Sequence, residues 1–239
     1  AESELADPQG RMKLLAGLTR LRQLCCDPRL CLEEYAAGSG KLDQLIELAG
    51  GLAAQGRRML IFSQFTSMLA LLEEALHDAG LQTLKLTGET DKIERMALVE
   101  QFNSGDIPVF LISLKAGGSG LNLVGADTVI HFDPWWNPAA EDQATDRAHR
   151  IGQKHKVTVI RMITRGSIEE QVVKLGARKR EMFDQMITAG EAMPTQLTPE
   201  DIKAMLGGEK QDIRIDGVIY AAYELLDMEV VDMQADLFD

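Results

Sequence analysis

Gln143, Arg147 and Arg150 stand at i, i+4 and i+7 within "EDQATDRAHRIGQ", residues 141–153. On a helix that spacing draws one narrow polar stripe. Ala144, Ala148 and Ile151 draw a second, apolar stripe at the same spacing. A helix over 138–151 would therefore bury one face and send two guanidinium groups the same way. Arginine offers a rigid, permanently charged fork that matches phosphate. Two of them suit the charge that develops on a transferring γ-phosphoryl group, where an arginine finger is worth on the order of 10³–10⁵ in rate. Spacing alone leaves a second reading open. Gly152 reads as a C′ glycine, and cations in the last helical turns are favoured by the helix dipole by roughly 0.3–1 kcal/mol. On that reading both arginines are solvated surface residues.

Other stretches test for a complete phosphate site. "GSGK" at 38–41 has the look of a phosphate-binding loop, but Tyr35 stands where the first glycine belongs and Leu42 where Ser or Thr belongs. Ser39 reads instead as a helix N-cap. No Asp-Glu pair sits at a strand end to hold magnesium, and no metal site is expected. "AGGSGLNL", 116–123, follows an apolar run, and its glycines would let backbone N–H groups approach a phosphate or simply make a turn. "FDPWWNP", 132–138, places two tryptophans in a loop, one for the core and one free to stack on a base or sugar. Asn137 can cap the next helix, with Pro138 at its first position. Cys25, Cys26 and Cys31 are odd in number, lack a fourth ligand at zinc spacing, and read as free thiols.

The elements that must position these residues follow from periodicity. Leu14, Leu15, Leu18, Leu21 and Leu24 predict a helix over 11–26, and Leu42, Leu45, Ile46, Leu48 and Ala49 a second. Apolar runs then alternate with helical stretches: "MLIF", "QTLKL", "PVFLISL", "DTVIHF" and "VTVIRMI" read as strands. A long helix from Ser167 closes the series, with Ser167 and Glu170 as a capping box. The pattern implies an α/β fold, a parallel sheet with helices on both faces. In such sheets ligands bind at the carboxyl ends of the strands, where "LTGET", "LISLKAGGSG" and "HFDPWWNP" all fall. The tail, 209–239, reads as an acidic amphipathic helix or an irregular appendage.

Composition sets bounds. The 239 residues are 45% hydrophobic and 26% charged, ordinary values for a globular domain. No apolar run suits a membrane span and no leader opens the chain, so neither a membrane partner nor export is expected. The net charge of −12 argues at first against a nucleic-acid partner. It is uneven: Gly207 to Asp239 holds nine acids and two bases, −7 net, which leaves −5 for the rest. Arg147, Arg150, Lys154, Lys156, Arg161 and Arg165 form a local basic cluster that the net charge does not cancel.

"QATDRAHRIGQ" with "DPWWNP" just ahead of it resembles the C-terminal helicase lobe of Swi/Snf-family DNA-dependent ATPases. "LTRLRQLCCDPRL", "SGKLDQLIELA", "RRMLIFSQFTSML", "LTGETDKIER", "LISLKAGGSGLNL" and "TRGSIEEQV" extend the resemblance in order over about residues 10–207. It implies a RecA-like fold with flanking helices: a linker over 1–40, the lobe over 41–190, and an extension over 191–239. The family's ATP, with its magnesium, sits between two lobes and is held mainly by the first. By the family's pattern Arg147 and Arg150 are arginine fingers and Gln143 helps orient them. Gly118, Gly120 and Asn122 match nucleotide-binding positions. Ser63, Gln64, Thr87, Gly88, Ser113, Lys115 and Trp136 match positions near the DNA backbone. The implied partners are double-stranded DNA, the N-terminal RecA-like lobe of the same protein, and a DNA-bound protein complex. The expected activity is ATP-dependent translocation on DNA, with this chain inactive by itself. The compact lobe suggests a bacterial, nucleoid-associated protein; a eukaryotic one would be nuclear. A non-catalytic RecA-like interaction module is the alternative, and a flavodoxin-like ligand domain leaves the two-arginine stretch unexplained.

Overall fold

The computed structural model describes residues 8–116, 120–150, 152, 153, 155–186, 197–206 and 226–233. In chain order the elements are α1 (Pro8–Cys26), a 3-10 turn (Pro28–Leu30), α2 (Gly40–Ala54), β1 (Met59–Ser63), α3 (Thr66–Asp78), β2 (Thr83–Leu86), α4 (Lys92–Ser104), β3 (Val109–Ser113), β4 (Thr128–His131), α5 (Pro138–Thr145), β5 (Val157–Thr164), α6 (Ile168–Met186), α7 (Pro199–Leu206) and β6 (Leu226–Met233). The sheet order is β2-β3-β1-β4-β5-β6. β1 to β5 run parallel, and β1 lies between β3 and β4 with Met59 opposite both Val109 and Thr128.

Every residue of β1, β3 and β4 is buried, as an unbroken apolar run in a parallel sheet requires. Successive side chains still alternate between faces. Met59 and Ile61 pack toward Leu45, Ala49, Leu69 and Leu72 of α2 and α3. Leu60 and Phe62 pack the other way, toward Phe102 of α4 and Ala144 and Ala148. A third cluster joins Leu18 of α1, Trp136, Val172 and Leu175 of α6, and Ile202 and Met205 of α7.

Local signals explain most boundaries. Ser39 caps α2, its Oγ accepting from Leu42 N at 3.4 Å and donating to Cys26 O at 3.0 Å. Lys41, the lysine of "GSGK", is not a phosphate ligand. Its Nζ lies 2.7 Å from both carboxylate oxygens of Glu169, and the two side chains are 3% and 0% exposed. Asn137 caps α5 by accepting from Ala139 N at 3.1 Å. At α6, Ser167 accepts from Glu169 N at 3.1 Å while Glu170 accepts from Gly166 N at 3.0 Å, one residue displaced from a reciprocal capping box.

Two expectations are corrected. The helix over 138–151 stops at Thr145. Arg147 N reaches Ala144 O at 3.4 Å and Ala148 N reaches Thr145 O at 3.0 Å, tighter i→i+3 bonds. The carbonyl of Arg147, which a continuing helix would give to residue 151, accepts from Leu123 N at 2.9 Å instead. Gly152 does take a left-handed backbone, φ 106°, but in a turn well past the helix end. In the tail, Leu226–Met233 is neither helix nor irregular. It forms an antiparallel edge strand, with Leu226 opposite Thr164 and Met233 opposite Val157. "LDME" alternates apolar and acidic residues with a period of two, which suits a strand.

Candidate functional site

The turn after α5 carries both arginines. Arg147 is only 3% exposed, and neither its Nε nor its Nη1 has a hydrogen-bond partner among the described residues. Burial pushes its guanidinium below the ordinary arginine value, and the charges of Arg150 and Arg95 push it further. A buried cation with open donors and like-charged neighbours is costly alone, and a nearby anion would relieve that cost. Arg150 is half-buried; its Nε donates to Asp146 O at 3.1 Å and its Nη1 to Gly120 O at 3.4 Å. Gly120 is thus joined to Arg150 through its carbonyl. Gln143 stays exposed on α5, so the three polar residues do not share one helical stripe. Asn122 is exposed on the same connection and is held through its carbonyl, which accepts from Asn103 Nδ2 at 2.8 Å. Gly118 lies outside the described residues.

Gln153, the last residue of the motif, holds this turn in place. Its Nε2 donates to the carbonyls of Val124 (3.2 Å), Ala126 (2.6 Å) and Ala148 (3.2 Å), and its Oε1 accepts from His155 N at 2.8 Å. A single buried amide therefore ties the 120–126 connection to the arginine turn. Sequence reading gave Gln153 no role, because its partners are remote carbonyls with no residue signature.

The remaining candidates lie at the carboxyl ends of the strands. Ser63, 1% exposed at the end of β1, donates its hydroxyl to Asp133 Oδ1, and Gln64 N reaches both oxygens of Asp133 at 3.3 Å. Burial pushes the Asp133 carboxyl above the ordinary aspartate value, against the opposing pull of Arg22 and the Ser63 hydroxyl. Arg22 of α1 donates to Gln64 Oε1 at 2.9 Å and to Pro134 O at 2.5 Å, and its guanidinium lies 5.4 Å from the Trp135 ring centroid. Thr87 begins a turn in which its N–H donates to Thr90 Oγ1 at 3.0 Å. Gly88 is exposed, with nothing within 4 Å of where a Cβ would sit. Ser113 ends β3 at 2% exposure, and Lys115 beyond it is exposed. Trp136 is 8% exposed in the third cluster, with Lys179 Nζ 4.5 Å from its ring centroid. Its indole is committed to packing α1, α6 and α7. Glu141 was also missed by sequence reading; its carboxylate accepts from Trp135 N at 2.7 Å and from Arg161 Nε at 2.9 Å, fastening the tryptophan loop to α5.

Among the described residues no group of three His, Cys, Asp or Glu side chains comes together to hold a metal ion, and no helix is long and apolar enough to cross a membrane.

Five parallel strands with helices on both faces, and an arginine-bearing turn beside the strand ends, define a RecA-like lobe of the helicase type. The family model for the helicase conserved C-terminal domain matches residues 40–152, which contain both arginines. Within that class the chain belongs to the Swi2/Snf2 ATPases, as a C-terminal lobe. It is 41% identical over 209 residues to YwqA of Bacillus subtilis (strain 168), named as an ATP-dependent helicase/translocase, covering 85% of this chain and 23% of that protein. It is 43% identical over 175 residues to the human chromatin-remodeling ATPase INO80, covering 73% of this chain and 11% of that protein. Its fold matches the Sulfolobus solfataricus SWI2/SNF2 ATPase core in complex with dsDNA with a TM-score of 0.63 at 32% identity, over 80% of this chain and 41% of that one. The chain thus spans less than a quarter of the length of these two curated relatives.

Proposed function

We propose that this chain is the second motor lobe of an ATP-dependent double-stranded-DNA translocase. The observation that carries the reading is Arg147: a buried guanidinium with two unpaired nitrogens beside a second, half-buried arginine. Such a group is preorganised for an oxyanion and needs no reorganisation when one arrives. On this reading ATP is the substrate, held mainly on a first lobe of the parent protein. Closure of the two lobes brings the γ-phosphate to Arg147 and Arg150. Arg147 meets the developing charge in a dry setting. Arg150 exchanges its bonds to the Asp146 and Gly120 carbonyls for the phosphate, and Gln143 lies at the rim to orient the attack. Magnesium is assigned to the other lobe.

DNA is assigned to the strand ends, along Gln64, Thr87, Gly88 and Lys115, with the buried Ser63 and Ser113 supporting that surface from beneath. Their small side chains, turn N–H groups and one exposed lysine suit phosphate contacts and little base reading. The likeness to the Sulfolobus solfataricus SWI2/SNF2 ATPase core in complex with dsDNA supports this partner. Opening and closing against the first lobe would shift one grip along the backbone.

The test compares the parent protein with this chain alone. DNA-stimulated ATP hydrolysis is expected from the parent and none from the 239-residue chain. DNA affinity of the parent should fall steeply with salt, as phosphate contacts require. Hydrolysis by the isolated chain, or binding that ignores salt, refutes the assignment.

A further inference from the structure

Arg95 lies on α4, far in sequence from the arginine turn, yet its charge bears on Arg147 together with that of Arg150. Arg95 and Arg150, from two separate stretches, therefore both bear on Arg147, and both bond to carbonyls of the segment between β3 and β4. Their attachments are also paired. Arg95 Nη1 donates to Ala116 O at 3.1 Å, and Arg150 Nη1 donates to Gly120 O at 3.4 Å. Each arginine thus holds one carbonyl of the connection between β3 and β4. Arg95 Nη2 also reaches Thr90 O at 3.4 Å, which ties α4's entry turn to the same place.

We infer that Arg95 is a positioning residue of the arginine site, a third fixed positive charge that raises its preference for a triphosphate over a diphosphate. This inference rests on the proposed role of Arg147 and Arg150. The charges of Arg95 and Arg150 both act unfavourably on the buried Arg147 guanidinium in the lobe alone. An anion of high charge density offsets that repulsion, and the terminal phosphate of a triphosphate adds more negative charge than a diphosphate brings. Arg95 acts through the other two arginines. It holds the Ala116 carbonyl of the same connection that Arg150 holds at Gly120, and its field bears on Arg147.

The experiment uses the full-length parent protein with ADP and a non-hydrolysable imido analogue of ATP, titrated calorimetrically. The readout is the ratio of the two affinities, which a merely structural role would not move. Arg95→Gln removes the charge and should lower the triphosphate preference about tenfold. Arg95→Lys keeps the charge without the fork and should hold the ratio within about twofold of the parent value. Melting temperatures of both variants are measured alongside. An unchanged ratio in Arg95→Gln, or equal losses in the two variants, overturns the inference. Arg150→Ala is the control: if it leaves the preference intact, the role of the arginine turn itself has failed, and the inference falls with it. A preference lost in Arg150→Ala but kept in Arg95→Gln removes Arg95 alone.

Discussion

Replacing Arg147 with methionine should make this chain more stable while it removes the parent's hydrolysis. Arg147 is 3% exposed, and its Nε and Nη1 have no partner among the described residues. A buried polar group left unsatisfied costs about 1–3 kcal/mol, more when charged. Part of that cost is relieved by local adjustment, and the nearby positive charges of Arg95 and Arg150 add to it. Methionine keeps much of the buried volume, and the backbone bonds of residue 147 to Leu123 and Ala144 do not depend on the side chain. A net gain of about 1–3 kcal/mol is expected. For a chain of this length it corresponds to a rise of about 3–8 °C in melting temperature. Thermal unfolding of the isolated chain, followed by circular dichroism, measures it directly. A fall in melting temperature would refute the reasoning, because it would show that the guanidinium is satisfied in the lobe and not held open for an anion.

Glu169→Gln should cost about 3–5 kcal/mol, because it leaves the Lys41 ammonium buried without its counter-charge; the Lys41→Met/Glu169→Leu pair should recover most of that in urea unfolding, and an equal loss in the double variant would contradict it. Burial holds the His131 imidazole below its ordinary value of 6.5, with its Nε2 3.2 Å from Thr145 Oγ1. The unfolded chain then takes up a proton that the folded one refuses, so stability present above pH 6.5 is lost as the pH falls from there toward the depressed folded value. His131→Gln should flatten the unfolding free energy across that window, and an unaltered slope would count against it.

The sheet and its order of elements were legible because β1 and β3 are built on runs of four apolar residues, β4 carries Val129 and Ile130 at its centre, and the caps at Ser39 and Asn137 are local signals. The site was legible only in its residue types. The end of α5 was misread because the decisive bond, from Leu123 N to the carbonyl of Arg147, joins positions far apart in sequence. Arg22 was passed over for the same reason, since its partner Pro134 lies 112 residues away. Arg95 looked like an ordinary helical residue until the fold brought it to the arginine turn. The edge strand at 226–233 was missed because an acidic, apolar segment is ambiguous until a free sheet edge is known to exist beside it.

On the proposed mechanism the arginine turn meets the γ-phosphate of an ATP held by another lobe. Single-turnover ATP hydrolysis by the full-length parent carrying Arg150→Ala, with saturating double-stranded DNA, tests it most directly. The rate should fall on the order of 10³-fold or more while DNA affinity stays within about twofold. A rate within about tenfold of the parent would contradict the claim.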